Sequence, residues 1–145
     1  MSDFRRIDDQ VYASPQIHAD DVAEAKKLGV TMIVNNRPEG ESPDQTPGDD
    51  IARIAGEHDM TYRAIPITHA GFGEAQVDAM IEALDEAEGR VLAYCRSGTR
   101  STLLWALAAA KEGGDPDDIA ARAAGAGYDV APIRQIMDML AAGSR

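Results

Sequence analysis

Apolar residues recur along this chain with two alternating periods, and the alternation divides it into short strands and longer helices. Val11-Tyr12-Ala13 is a short apolar run of strand type. Residues 19–28 follow with helical character, opened by Asp20 and Asp21 and closed by Gly29. Val30-Thr31-Met32-Ile33-Val34 is unbroken and rich in β-branched residues, the pattern of a strand buried on both faces. Residues 49–58 place Ile51, Ile54 and Ala55 on one helix face, and Thr61 to Ile67 reads as a further strand stopped by Pro66. Residues 74–88 carry Val77, Met80, Ile81 and Leu84 at i, i+3, i+4 and i+7, a helical stripe. Val91-Leu92-Ala93-Tyr94 is the next buried strand. Helices are expected over 101–112, with Leu103, Leu104 and Leu107, then over 116–126 and 131–142. Strands separated by such helices predict βαβ units, right-handed crossovers and an α/β fold with a parallel sheet covered on both faces. Ligands of such sheets bind beyond the carboxyl ends of the strands. The loops after Val34, Ile67 and Tyr94 should gather there.

The first of these loops, residues 36–48, holds three prolines and two glycines, which forbids regular structure. It comes too early in the chain to divide two domains, and 145 residues suit a single domain spanning 1–145. Charge changes the picture more than length does. Fourteen Lys and Arg against 25 Asp and Glu leave a net charge of −11, which argues against nucleic acid or an anionic membrane as partner. No apolar run approaches the roughly 18 residues of a membrane span, and the N-terminal stretch lacks the apolar core of a signal peptide. One cysteine, Cys95, excludes an intramolecular disulfide and every multi-cysteine metal site. Together these features fit a soluble, reducing, cytoplasmic setting.

The chemistry concentrates at Tyr94-Cys95-Arg96-Ser97-Gly98-Thr99-Arg100-Ser101, between a buried strand and the start of a helix. Gly98 lets the backbone curl so that successive amide N–H groups point inward. The helix N-terminus adds partial positive charge on the same axis, and the result is an anion cradle formed by Arg96, Ser97, Gly98, Thr99 and Ser101. Arg100 can offer a bidentate guanidinium to a tetrahedral oxyanion. A thiol at a helix N-terminus beside arginine can titrate as low as about 3.5–7.5, so Cys95 is expected as a thiolate nucleophile facing the cradle. Ser101 is placed to hydrogen-bond that thiolate as leaving group. A buried, inert cysteine is the ordinary fate of a lone Cys, but two arginines flanking a glycine have no packing purpose in so acidic a chain.

The Cys-x4-Arg loop resembles the active loops of cysteine phosphatases and of rhodanese sulfurtransferases. Val34-Asn35-Asn36-Arg37-Pro38-Glu39-Gly40-Glu41, Tyr62-Arg63-Ala64-Ile65-Pro66-Ile67 and Tyr94 through Trp105 together resemble the bacterial beta-lactamase-hydrolase-like phosphatase family. The likeness runs from about Phe4 to Leu140. It implies a dual-specificity-phosphatase-like fold with about four parallel strands, Cys95 as nucleophile, Arg100 as phosphate binder, and no cofactor. The implied substrate is a phosphorylated protein or small molecule, or another small oxyanion.

Two departures keep other readings open. Tyrosine and dual-specificity phosphatases space Cys and Arg by five residues; here there are four, 96–99, the rhodanese length. Phosphatases also place an Asp after the Ile-Pro strand as general acid. Here Ile67-Thr68-His69-Ala70-Gly71-Phe72-Gly73-Glu74 offers His69, with Glu74 as alternative. A rhodanese-type sulfurtransferase working through a Cys95 persulfide is the second reading. Against it, the Asp-x-Arg and Gly-His-Ile-x-Gly segments usual in rhodaneses are missing. A non-catalytic anion-binding regulatory module is the third. Elsewhere, Arg37 is expected to pair with Glu39 or Glu41, and Trp105 reads as core. Asp115 reads as a helix cap, and Gly125-Ala126-Gly127-Tyr128 as a helix end and turn. His18 and His58 have no His or Cys nearby, so no metal site is expected.

Overall fold

Each apolar run becomes a strand in the computed structural model, which describes residues 2–143. The strands are β1 (Arg5–Arg6), β2 (Val11–Ser14), β3 (Val30–Asn35), β4 (Thr61–Ala64) and β5 (Arg90–Tyr94), in one sheet ordered β1-β2-β5-β3-β4. β2, β5, β3 and β4 pair in parallel, as expected. A two-residue antiparallel strand, β1, extends the edge beyond β2, and no apolar pattern announces it because Arg5 and Arg6 bury little. β4 ends at Ala64 rather than at Ile67. Beyond Ala64, Ile65 and Ile67 still donate onto the carbonyls of Asn35 and Asn36.

The helices are α1 (Ala19–Lys27), α2 (Gly48–Glu57), α3 (Glu74–Glu86), α4 (Thr99–Lys111), α5 (Pro116–Gly125) and α6 (Arg134–Gly143). Side chains alternate across the sheet, so each strand serves two cores. Leu92 and Tyr94 of β5 pack with Val22, Ile51 and Ala55 of α1 and α2. Val91 and Ala93 pack on the opposite face with Met80, Leu104, Leu107 and Met137 of α3, α4 and α6. Trp105 is in this second core, as predicted. The helix expected from residue 131 opens as a 3-10 turn over Ala131–Ile133, with Pro132 in a first turn, where its missing N–H costs no hydrogen bond. Asp115 caps α5 by accepting from the Asp117 N–H at 3.3 Å.

β5 lies between β2 and β3, so the loop that follows it emerges in the middle of the carboxyl edge. Neighbouring loops lock onto it there. Asn36 N–H donates to Tyr94 O at 2.8 Å, Cys95 N–H to Ser14 O at 3.3 Å, and Gln16 N–H to Arg96 O at 3.4 Å.

Candidate active site

Cys95 directly follows the central strand β5 and is fully buried. α4 begins at Thr99, two residues earlier than the sequence pattern suggested, because Gly98 serves as its N-cap with φ 92° and ψ −10°. That left-handed conformation favours glycine, and a Cβ at this position would collide with the Tyr128 hydroxyl. The turn delivers the Gly98 N–H to Cys95 Sγ at 3.1 Å. The sulfur therefore sits at the N-terminus of a thirteen-residue helix, in the positive end of its dipole.

Arg100 lies in the first turn of α4 and has five N–H donors. Nη1 donates to Glu41 Oε2 at 2.7 Å and to the Ile67 carbonyl at 3.1 Å, and Nη2 donates to Glu41 Oε1 at 2.9 Å. The Nε–H and the second Nη2–H are left over, and these two lie on one edge of the guanidinium. That edge is the parallel fork that matches two oxygens of an oxyanion. Arg100 is held above its ordinary range, first by the Glu41 hydrogen bonds and also by the charge of Cys95.

Glu41 joins two arginines. Its Oε1 also accepts from Arg37 Nε at 2.8 Å, the pairing expected of Arg37. Arg37 itself is buried, and its Nη1 and Nη2 donate to Gln16 Oε1 at 2.9 Å and Ser42 Oγ at 3.0 Å. The Arg100 hydrogen bonds, with those of Arg37, bring the Glu41 carboxyl down to about 2 against the opposing effect of burial.

Ser101 does not serve the thiolate in the way its sequence position suggested. Asn36 Nδ2 donates to the Ile65 carbonyl at 2.9 Å, which turns Asn36 Oδ1 toward Ser101. Ser101 Oγ lies 2.7 Å from that oxygen, and since an amide oxygen only accepts, the hydroxyl must donate its single proton there. A hydroxyl so committed has no proton for Cys95. The hydrogen bond to the sulfur comes instead from the Gly98 N–H.

Arg96, Ser97 and Thr99 are exposed on the cradle's rim, with Ser97 Oγ donating to Thr99 Oγ1 at 3.0 Å. The Asp44 carboxyl is held low, first by the Ser42 hydroxyl and lastly by Arg37 and Arg96, which places Arg96 beside the 36–48 loop. A cavity of about 430 Å³ opens next to Arg100, walled by Pro38, Gly40, Glu41, Ile67, Thr68 and His69. His69 is exposed on this wall. Glu74 begins α3 and lies 3.9 Å from Lys111, the last residue of α4. α4 rises about 20 Å over its length, so Glu74 stands at the end of that helix remote from Cys95. Among the described residues no group of three or more His, Cys, Asp or Glu could hold a metal ion, and no helix is long and apolar enough to cross a membrane.

Three residues of this arrangement escaped the sequence reading. The sequence offers Glu41 only as one of two acidic partners for Arg37, gives Asn36 no role and places Tyr128 in a turn. Their partners lie 59, 65 and 31 positions away, so no local spacing could reveal them.

The sequence pattern of the phosphatase-like domain of beta-lactamase hydrolase-like proteins matches residues 3–112. Beta-lactamase hydrolase-like proteins of Xylella fastidiosa and Agrobacterium fabrum are each 33% identical over 108 residues, 74% of this chain and 25% of theirs. The chain thus spans about a quarter of the length of the curated relatives it matches. A candidate phosphatase of Neisseria meningitidis Z2491 superposes with a TM-score of 0.84 at 31% identity, over 97% of this chain and 99% of its own. TpbA of P. aeruginosa, in a variant solved with phosphotyrosine, superposes with a TM-score of 0.68 at 20% identity, over 98% and 90%. That last likeness is one of fold, the α/β fold of protein-tyrosine-phosphatase-like cysteine phosphatases.

Proposed function

This chain belongs to the family of phosphatase-like domains of beta-lactamase hydrolase-like proteins, and from that membership we propose that it is a Cys95-dependent phosphatase of phosphate monoesters. One observation carries the reading. Cys95 Sγ accepts from the Gly98 N–H at 3.1 Å at the N-terminus of α4, and Arg100, in the first turn of that helix, keeps two donors on one edge outside its bonds to Glu41 and Ile67. A phosphoryl group bound there has its charge met by backbone amides and by two parallel guanidinium donors.

In the proposed reaction the Cys95 thiolate attacks phosphorus in line with the ester oxygen. An S–P bond forms, the P–O bond breaks, and the departing oxygen takes a proton from His69 on the cavity wall. Water then attacks the phosphocysteine and gives a proton back to His69, the S–P bond breaks, and inorganic phosphate leaves with the thiolate restored. The pocket beside Arg100 receives the group attached to the phosphate, and its Pro38 and Ile67 walls suit a planar aromatic leaving group. The phosphotyrosine bound by TpbA belongs to the same chemical class. Sulfur transfer, which the four-residue Cys–Arg spacing left open, draws no support from the family or from the phosphatase-like structures described above.

Turnover of an aryl phosphate by the wild type and by Cys95→Ser, followed across about pH 5 to 8, tests this. Turnover is expected in the wild type and is expected to vanish in the variant. Equal turnover in both proteins, or none in either, would overturn the reading.

A further inference from the structure

We propose that Tyr128 is a positioning residue for the cradle, gripping the Ser97 carbonyl so that the Gly98 N–H of the same peptide unit is aimed at Cys95 Sγ. The inference rests on Cys95 as the nucleophile. Tyr128 Oη donates to Ser97 O at 3.2 Å, while Gly98 N–H donates to Cys95 Sγ at 3.1 Å. These two hydrogen bonds share one peptide group, Ser97 C=O and Gly98 N–H. A trans peptide is planar and points its C=O and N–H in opposite directions. Fixing the carbonyl therefore fixes the N–H, and a rotation that frees one frees the other.

The backbone does not make this choice unaided. Gly98, at φ 92°, has access to conformations closed to other residues, so the peptide before it has unusual freedom to turn. A donor on the carbonyl also polarises the peptide and strengthens its N–H as a donor. Tyr128 is itself well held. Gly127 (φ 94°) turns the chain after α5, Tyr128 N–H donates to Ala123 O at 2.9 Å, and Arg5 sits over the ring at 5.3 Å from its centre. Burial, reinforced by the charge of Cys95 and opposed by Arg5, holds the Tyr128 hydroxyl above its usual range, so it remains a donor wherever the thiolate reacts. Tyr128 also lies outside residues 3–112, so the segment beyond the family pattern contributes to the site.

Tyr128→Phe removes one oxygen and keeps the ring, its packing and its contact with Arg5. The ionisation of Cys95, the one cysteine of the chain, is followed in both proteins by the ultraviolet absorbance of the thiolate, with Cys95→Ser as blank. Trp105 fluorescence reports that the fold is retained. On the rising limb of the titration the thiolate fraction is expected to be about three- to tenfold lower in Tyr128→Phe, the effect of one lost hydrogen bond. Turnover of an aryl phosphate is expected to shift to higher pH with it. Superimposable titrations would overturn the proposal and leave Tyr128 a packing residue. Absence of turnover in the wild type would overturn the phosphatase reading alone, because the titration needs no substrate.

Discussion

Arg100 shows how one side chain can be both anchored and available. Glu41 takes its Nη1–Nη2 end and the Ile67 carbonyl a further proton, which holds the guanidinium plane and leaves the Nε–Nη2 edge free. A lysine could not divide its donors in this way. Glu41 also neutralises Arg37, which is buried and needs a counter-charge. Glu41→Gln should therefore cost about 1–3 kcal/mol at neutral pH, the range for charge-assisted hydrogen bonds. The sign with pH follows from the lowered carboxyl. Its folded value of about 2 lies below its ordinary 4.5, so the stabilisation is complete above pH 4.5 and is lost as pH falls toward 2. Urea unfolding of the two proteins across that interval should show the difference shrinking as the solution becomes more acidic. A difference independent of pH would show that Glu41 acts through shape alone. A pairing of Arg37 with Glu39 or Glu41 was legible because both are near in sequence, and the structure selects Glu41. The pairing with Arg100 was not, because it crosses 59 positions.

Among the elements, β3, β5 and the helices α3 and α4 were legible because their apolar periodicities are long and unbroken. Boundaries followed from chemistry that a pattern of apolar residues does not carry. α4 starts at Thr99 because Gly98 takes a positive φ, and this moves Arg100 from the loop into the helix. β1 was invisible because its two arginines pair by backbone alone. The turn that joins it to β2 is organised by Asp8, whose Oδ1 accepts from the Gln10 and Val11 N–H groups at 2.8 and 2.7 Å. Asp8 Oδ2 accepts from Trp105 Nε1 of α4 at 3.2 Å, so one carboxylate ties the sheet's edge to the helix that carries the cradle. Asp8→Ala should destabilise the protein by about 2–3 kcal/mol, because it orphans three donors at once. Trp105 emission during urea unfolding would measure this directly, and a loss below about 0.5 kcal/mol would show that water replaces the carboxylate.

At the scale of the whole molecule, a positive cradle is set in a chain of net charge −11. Under the proposed function, a dianionic phosphate monoester would approach against the overall field and be favoured only at the cradle. Raising sodium chloride from about 0.01 to 0.1 M shortens the screening length from about 30 to 10 Å, and kcat/KM for an aryl phosphate should rise with it. Sulfate at equal ionic strength should instead compete for Arg100 and lower the rate. A fall with chloride of the same size as with sulfate would mean that the cradle's own field reaches beyond the global charge. By itself the sequence determined the alternation of strands and helices, the parallel sheet, and the Cys95–Arg100 loop between a strand and a helix. Each of these rests on neighbours within one or two turns of chain. Only the tertiary structure decided which groups complete the site. Glu41 orients Arg100, Asn36 takes the Ser101 proton, and Tyr128 holds the Ser97 carbonyl. Hydrogen bonds have direction and each donor proton is used once, so these assignments exist only after the β3, β5 and α5 ends have been brought together in space.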